Sequence, residues 1–592
     1  MATKYFNTSV EHLYLMKKKR EKKKIQIIKT VIIICLLLLA ATNVYIVISI
    51  ANTSQIFPNE NEPVPTINSQ VIIPSISPTA TDNFLPTTQA ATPTTLFIPL
   101  LSHDRQEPDV RSPFSLQIAA LHLASTNVVF LEDGSYAIIP AETESSTLED
   151  SSYGYLAAAL KDSGADWTRV RVEWELIEPN TPVPGQQPEY DWQYHDENLR
   201  LVADAGVRII ATLSDSPTWA ASSPCAPIYP DRLDEFARYL TDLVNRYKGP
   251  PFYMKHWELI NEPDSNRYTF GHTSGHGCWA YDGDQYAQML AVAYQAIKEA
   301  DPQAYVLMGG IAYDWFEEYG GPFYRYFSDD VMVNGGGSYI DALNFHFFTD
   351  FRAEWDRWNP NSQDRLYGWI PAPSCGTVDD GVGTPYDVDG FDVVAKTTHF
   401  RNRMNICYGV SKPVWLTEVA GHGYPEDQES LIQQARYLIK VYARALSAGI
   451  QNITWFSLDQ PPYDPYGQAL LNPDFSPKPA YFSYQTLTRE LDGFYEYSHD
   501  LNTCLWGSAG VSCYVEAYVF KNDAGEEKTV AWGSTRLPFQ ADQLRVVDRD
   551  GNETMIKDGG EGDRDSRVNG IVTLKLSDEP VFVSVGDFGI GE

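Results

Sequence analysis

Short apolar runs alternate with amphipathic segments from about residue 115 to residue 490, and the alternation repeats eight times. Apolar runs of this length are typical of buried parallel strands, and the segments between them have the spacing of covering helices. Eight such units indicate a closed parallel barrel more than an open sheet, so we predict a (β/α)8 TIM barrel over residues 113–490. The predicted strands are Leu116–Leu121, Trp167–Glu173, Val207–Leu213, His256–Asn261, Tyr305–Gly309, Ala342–Phe347, Val414–Glu418 and Ile453–Leu458. Four of the predicted helices are Ser152–Ser163, Pro230–Tyr247, Asp284–Ala300 and Gln428–Ser447.

The pattern changes at about Leu491, where apolar and polar residues begin to alternate as they do in strands. We expect residues 491–592 to form a C-terminal β-sandwich packed on the barrel, without a helix of useful length. Its predicted strands are Cys513–Phe520, Lys528–Trp532, Gln543–Val547 and Ile571–Val585.

The N-terminal part of the chain has the pattern of an anchored protein. Residues 1–29 are basic, and residues 30–50 carry no charge over a length that can cross a bilayer as a helix. The positive-inside bias predicts a cytoplasmic segment at 1–29 and a single-pass anchor at 30–50, with the barrel outside the cell. The alternative is secretion after signal-peptide cleavage. Residues 51–112, rich in Pro, Thr and Ser, predict a disordered linker.

Charge and cysteine usage narrow the possible partners. The net charge of −33 includes a basic N-terminal segment, so the rest of the chain is more acidic still and should repel nucleic acid. No cysteine or histidine cluster with zinc spacing and no nucleotide-binding loop is present, which argues against a metal or organic cofactor. Outside the predicted anchor six cysteines remain, and an even number in an exported chain permits three disulfides. They are Cys225, Cys278, Cys375, Cys407, Cys504 and Cys513.

Two predicted strands end in a glutamate. The run that begins at His256 ends at Glu262, because the following Pro263 cannot donate to a strand ladder. The run that begins at Val414 ends at Glu418, ahead of small residues. In an α/β barrel the carboxyl ends of the strands face the active site, so two carboxylates at these positions indicate chemistry more than structure.

With a glutamate at the end of each of these two strands, Glu262 and Glu418, the chain resembles the retaining glycoside hydrolases of clan A, most closely family 39 and then family 5. The resemblance covers about residues 115–490. It implies that Glu262 is the acid/base and Glu418 the nucleophile of a double displacement on a β-glycosidic bond, with no cofactor. The substrate would be an extracellular poly- or oligosaccharide. The alternative is a membrane-anchored protein that binds glycan through the same barrel without catalysis. No obligate protein partner is inferred.

The resemblance also suggests five substrate-binding or positioning residues. Arg171 would hold Glu418 ionised, unless it forms a surface ion pair with Glu173 or Glu175. Asn261 would bind the sugar 2-hydroxyl, and Trp219 and Trp455 would stack on the sugar, although tryptophan in such a fold is often core. His346 occupies a position where relatives carry His-x-Tyr, but Phe348 replaces the tyrosine, and a core histidine is the competing interpretation.

The loops after the third and fourth barrel strands hold Cys225 and Cys278, and we predict a disulfide between them at the mouth. Cys504 and Cys513 are close enough in sequence to join one hairpin. A long aromatic segment, residues 349–389, follows the sixth strand. Whether these loops form a pocket, for cuts at chain ends, or a groove, for internal cuts, stays open, as does transglycosylation.

Overall fold

A computed structural model describes residues 111–119, 126–130, 136–140, 152–266, 277–314, 316–317, 321–348, 375, 392–460, 467–507 and 510–586. The predicted cytoplasmic segment, the anchor and nearly all of the linker lie outside these residues, as does most of the aromatic segment after the sixth strand. Within the described ranges, no helix is long and apolar enough to cross a membrane.

Eight parallel strands form the barrel, and each of the eight predicted strands overlaps one of them, although the first and the last begin two and three residues earlier than predicted. The strands up to this point of the chain are β1 (Phe114–Gln117), β2 (Thr126–Phe130), β3 (Tyr136–Pro140), β4 (Trp167–Glu173), β5 (Arg208–Ser214), β6 (His256–Leu259), β7 (Tyr305–Met308), β8 (Leu343–Phe348), β9 (Val414–Ala420) and β10 (Ile450–Trp455). The barrel strands follow one another in the order β7-β6-β5-β4-β1-β10-β9-β8, and the end strands β7 and β8 meet through two bridges, so that the barrel is nearly closed. A separate antiparallel hairpin, β2 with β3, was not predicted.

The helices lie between the strands, and the four predicted ones are confirmed to within two residues, apart from a 3₁₀ turn over Pro230–Arg232. They are α1 (Ser152–Asp162), α2 (Trp174–Ile177), α3 (Gln193–Asp204), α4 (Leu233–Tyr247), α5 (Gly283–Ala300), α6 (Phe327–Val333), α7 (Asp392–Tyr408), α8 (Gln428–Ser447) and α9 (Pro479–Glu490). Local sequence explains the ends of α8. The Asp427 side chain accepts the N–H groups of Glu429 and Ser430 at its start, and Gly449 adopts φ +72° just beyond its end.

Large aromatic rings fill the N-terminal end of the barrel. Trp167, His256, Tyr305 and Trp415 come from the first residues of four strands, and their ring centroids lie 4.7–5.6 Å apart in the closest pairs. Because this end is plugged, a substrate can reach the barrel interior only from the carboxyl ends of the strands.

The C-terminal residues form a sheet domain. It contains a seven-stranded antiparallel sheet and the two-stranded sheet β15–β18, and both sheets contribute to one apolar core that includes Val515, Leu544, Phe539 and Leu574. Within the described residues after Leu491, every element is a strand. These are β11 (Glu496–Asp500), β12 (Thr503–Gly507), β13 (Gly510–Lys521), β14 (Glu527–Gly533), β15 (Arg536–Gln540), β16 (Gln543–Asp548), β17 (Glu553–Lys557), β18 (Ile571–Lys575) and β19 (Val581–Val585).

Three of the four predicted strands in this domain are confirmed, and the prediction of one strand over Ile571–Val585 is wrong. The chain forms two strands there, β18 and β19, which belong to different sheets. The polar residues Ser577, Asp578 and Glu579 and then Pro580 separate them, because proline cannot donate to a sheet ladder.

A buried arginine joins the barrel to the sheet domain. Arg444 on α8 is 6% exposed and donates to both carboxylate oxygens of Glu516 on β13, at 2.9 and 2.7 Å. Its third contact is Asp392 at the start of α7. One of the contacts between the sheet domain and the barrel therefore places a charge out of water.

We expect Arg444→Met to lower the free energy of unfolding of the full chain by roughly 3 kcal/mol, because it leaves two buried carboxylates without their partner. Urea denaturation would measure the loss. Lys521→Met is the control, since Lys521 pairs with Glu496 at the surface and should cost less than about 1 kcal/mol. Equal losses in the two variants would contradict a special role for Arg444.

Candidate active site

The two strand-end glutamates meet at the mouth of the barrel. Glu262 follows β6 and Glu418 lies in β9, and both are buried. One carboxylate oxygen of each, together with a ring nitrogen of His346, forms a group whose atoms all lie within 4.8 Å of one another. The structure therefore brings together the two residues that the sequence singled out.

An extra residue in β9 directs Glu418 into the barrel. Leu416 and Val419 are three residues apart, but their partners Ile453 and Trp455 in β10 are only two apart, and the pairing with β8 shifts at the same place. Such a bulge breaks the alternation of side chains along a strand. As a result, the neighbours Thr417 and Glu418 both reach His346, at 3.2 and 3.5 Å.

The backbone after β6 positions Glu262. Ile260 and Glu262 have positive φ angles of 69° and 43°, so the chain leaves the sheet at Leu259, before the predicted end of the strand. The Glu262 N–H donates to the carbonyl of Gly310 at 2.9 Å. Gly310 must be a glycine, because a Cβ there would lie 2.2 Å from Nε2 of His346.

Arg169 on β4 holds the nucleophile candidate, and the predicted role of Arg171 is wrong. The Arg169 guanidinium donates to Glu418, to Asn261 at 2.7 Å and to Gln117 at 2.7 Å. Arg171 lies two residues further along the strand, where it pairs with Asp215 and donates to Ser214. It also lies 4.0 Å from Glu173, which is the ion pair named as the alternative. Both arginines point to the same side of β4, but Arg169 is at the depth of Glu418.

Glu258 is a buried carboxylate that the sequence analysis did not identify. It binds Arg169 through both oxygens, at 2.6 and 3.0 Å, and accepts hydrogen bonds from Thr212 at 2.8 Å and Asn344 at 3.0 Å. Burial tends to raise the pKa of Glu258, but the charge and hydrogen bonds of Arg169 outweigh it and leave the pKa below its ordinary value. The sequence did contain a signal for this pair, because Arg169 and Glu258 each lie inside an otherwise apolar strand. A charge that is buried in a parallel sheet needs a partner.

His346 belongs to the site and is not simply a core residue. Its Nδ1 lies 2.9 Å from Glu262 and 3.5 Å from Glu418, so the ring bridges the two carboxylates. Asn261, the other predicted polar residue, lies beside the same pair through Arg169. The spacing of the two glutamates and His346 would suit a metal ion, but Arg169 already places a fixed positive charge on Glu418.

The aromatic predictions need one correction. Trp455 is completely buried and its indole donates to the carbonyl of Gln468 at 3.0 Å, so it is a core residue and cannot offer a face to a sugar. The next residue, Phe456, is 8% exposed and packs edge-on against Phe348, with ring centroids 5.9 Å apart. Trp219 is half-buried against Trp174, and its role as a sugar platform stays a prediction.

The predicted disulfide at the mouth is confirmed. Cys225 and Cys278 are bonded, and the N–H of Cys278 also donates to the carbonyl of Cys225 at 2.9 Å, so the loops after β5 and β6 are joined twice. The other four cysteines pair as Cys375 with Cys407 and Cys504 with Cys513.

The barrel is similar to known glycoside hydrolases. The family described as cellulase (glycosyl hydrolase family 5) matches residues 136–455. A family 39 glycoside hydrolase from Bacteroides cellulosilyticus WH2 is 18% identical, covers 81% of each chain and has a TM-score of 0.52. No curated protein sequence matches the chain.

Two further solved structures have lower TM-scores. A family 39 β-xylosidase from Caulobacter crescentus is 14% identical over 82% of this chain and 98% of its own, with a TM-score of 0.46. A family 30 endoxylanase from Clostridium papyrosolvens C71 is 13% identical over 80% of this chain and 100% of its own, with a TM-score of 0.44.

The family match spans more than half of the chain and runs from the hairpin to the end of the last barrel strand. It includes Glu262, Glu418 and His346, whose side chains converge at the mouth. The chain is thus a glycosidase of clan A, and it belongs to the cellulase family, glycosyl hydrolase family 5.

Proposed function

We propose that this glycosidase cleaves β-glycosidic bonds with retention, with Glu418 as the nucleophile and Glu262 as the acid/base. The observation that carries the proposal is the approach of their carboxylate oxygens to within 4.8 Å. Retaining enzymes hold the two carboxyl groups about 5–5.5 Å apart, whereas inverting enzymes need about 6.5–9.5 Å to admit a water molecule.

The contacts of Glu418 suit the first step, in which its carboxylate attacks the anomeric carbon. Arg169 neutralises part of its charge and fixes one oxygen, which leaves the other for the attack. At the same time Glu262 gives its proton to the leaving oxygen. Phe456 and Phe348 provide an apolar wall next to β9 and β8.

The two glutamates then exchange electrostatic roles. Once Glu418 becomes an ester its negative charge disappears, so the ionised form of Glu262 becomes less unfavourable, and Glu262 can take a proton from the attacking water. His346, which lies between both carboxylates, keeps them in this relation through the cycle.

We propose extracellular poly- or oligosaccharides as substrates. Support comes from the basic segment followed by an uncharged run of membrane length, and from three disulfides, which persist in oxidising compartments. The acidic body favours a neutral sugar over a polyanion.

A third carboxyl group lies close to Glu262. Asp264 is fully buried and accepts the N–H groups of Ala312 at 3.1 Å and Tyr313 at 2.9 Å. Burial raises the pKa of Asp264 to about 7, and the negative charge of Glu262 adds to the rise. Near neutral pH this group therefore changes its charge two residues from the proton donor.

We expect Glu262→Gln and Glu418→Gln each to lower kcat/KM on the natural glycoside by at least about a thousandfold, because each removes one group of the double displacement. Initial rates on a panel of β-linked oligosaccharides would measure this. Glu490→Gln is the control. Glu490 is a buried glutamate at the end of α9, and it pairs with Arg545 and Lys528 of the sheet domain. Near-normal rates in either test variant would exclude its assigned role.

Azide separates the two roles. With Glu418→Ala, azide should enter from the face that the nucleophile leaves open and give the α-glycosyl azide. With Glu262→Ala and an activated substrate, it should attack the ester and give the β-glycosyl azide. Proton NMR of the products distinguishes them, and the reverse pattern would mean that the assignments are exchanged.

Arg169 and Arg171 form a matched pair on one strand. We expect Arg169→Met to lower kcat at least about a hundredfold, because Glu418 loses its charged partner and Glu258 is left buried without one. Arg171→Met should lower kcat less than tenfold, since Arg171 pairs with Asp215. Steady-state kinetics would measure both values of kcat. A larger loss in Arg171→Met than in Arg169→Met would support the role that the sequence predicted for Arg171.

Asp264 should contribute a pH-dependent term to stability. Its folded pKa lies above the ordinary value of 3.8, so the stabilisation by its protonated form is complete below that pH and is lost as the pH rises towards 7. Asp264→Asn does not titrate, so its unfolding midpoint should fall less between pH 4 and 7 than that of the wild type. Asp523→Asn, at an exposed carboxylate, is the control. Parallel curves for wild type and Asp264→Asn would contradict the raised pKa.

A further inference from the structure

Three tyrosines gather on the catalytic face of the barrel, outside the site described above. Tyr281 lies just before α5, and Tyr324 and Tyr326 lie before α6. The ring centroids of Tyr281 and Tyr324 are 4.9 Å apart, and those of Tyr324 and Tyr326 are 6.0 Å apart. We call these three rings, with Asn266 and Glu317, the tyrosine patch.

The patch is attached directly to the segment that carries the acid/base. The N–H of Tyr324 donates to the carbonyl of Asp264 at 2.8 Å, and the N–H of Trp279 donates to the carbonyl of Pro263 at 3.0 Å. Two residues span at most about 7 Å of extended chain, so the Asp264 backbone to which Tyr324 bonds lies within that reach of Glu262. The Cys225–Cys278 disulfide fixes the same loop three residues before Tyr281.

The polar members of the patch hold the exposed ring in one orientation. The hydroxyl of Tyr281 donates to the carboxylate of Glu317, at 2.5 and 2.6 Å, and lies 3.3 Å from the amide nitrogen of Asn266. That amide also donates to Glu317. Tyr281 nevertheless remains 52% exposed. A fixed aromatic face with carboxylate and amide groups at its rim suits a molecule that has both an apolar C–H face and hydroxyl groups.

The chemistry of the proposed function says which part of a substrate lies here. The acid/base must contact the leaving oxygen, and the nucleophile must approach the anomeric carbon from the opposite face. Pro263 and Asp264, and the residues that bond to their carbonyls, are therefore on the side of the leaving group. Glu317 makes this border unfavourable for an anionic leaving group.

We propose that the tyrosine patch is a binding subsite for a neutral saccharide leaving group, with Tyr281 as its stacking platform. The inference rests on the proposed function and adds to it the residues that bind the sugar on the leaving side.

Two kinds of substrate distinguish an effect on binding at the subsite from an effect on the catalytic step. Glycosyl fluorides have no sugar on the leaving side, whereas oligosaccharides with the same glycone do. We would compare wild type, Tyr281→Ala and Tyr281→Phe of the full chain on the β-fluorides of glucose, xylose, mannose and galactose, and on the matching β-linked oligosaccharides. Phe482→Ala, which removes a ring 47% exposed on α9, is the control.

Tyr281→Ala should lower kcat/KM on the oligosaccharide about tenfold and leave hydrolysis of the fluoride within about twofold of wild type. Tyr281→Phe keeps the ring and should lose less, and Phe482→Ala should change neither rate. Unchanged rates on both substrates for Tyr281→Ala, or equal losses on both, would overturn the subsite. A wild-type protein that hydrolyses no member of either panel would instead overturn the proposed function, and the subsite with it.

Discussion

The ion pair between Arg169 and Glu258 inside the barrel is the interaction on which the site depends. Burial tends to lower the pKa of Arg169, but Glu258 and Glu418 outweigh it, so the guanidinium stays charged in a place that water does not reach. A buried charge is tolerated only when its partners are complete. Residues of three other strands and of the β7–β8 loop supply them, since Glu258 also binds Thr212, Asn344, Thr417 and the N–H of Gly310.

The same guanidinium connects this interior layer to the chemistry above it. Arg169 contacts Glu418 and Asn261, and Gly310 both donates to Glu258 and accepts from Glu262. Glu418 is thus one hydrogen bond away from the buried pair, and Glu262 is connected to it through Gly310. The aromatic plug below and the Cys225–Cys278 disulfide above limit the movement of this arrangement. Precise placement of the carboxylates therefore follows from packing rather than from the loops alone.

The eight strands, the bounds of four helices and the two glutamates were predictable, because the apolar pattern and the strand-end position are local properties of the sequence. The depth at which a side chain lies in the barrel is not a local property of the sequence. Arg169 and Arg171 share a face of β4, and only the stagger of neighbouring strands decides which one meets Glu418. Trp455 was predicted from its residue type, but the direction of its side chain depends on pairing with β9. The hairpin β2–β3 consists of two five-residue strands outside the barrel. It was not predicted, because the alternation of barrel strands and helices does not include a hairpin.

The extra residue in β9 also affects how this chain should be aligned with distant relatives. Between Leu416 and Val419 the strand gains one position relative to both neighbours, so inward and outward positions exchange in the middle of the strand. An alignment that follows hydrophobic alternation through β9 would place the glutamate one column away from its true equivalent in a relative whose bulge lies elsewhere. For divergent members of the clan, the pairing of this strand with its neighbours is therefore a safer guide to equivalent residues than its sequence.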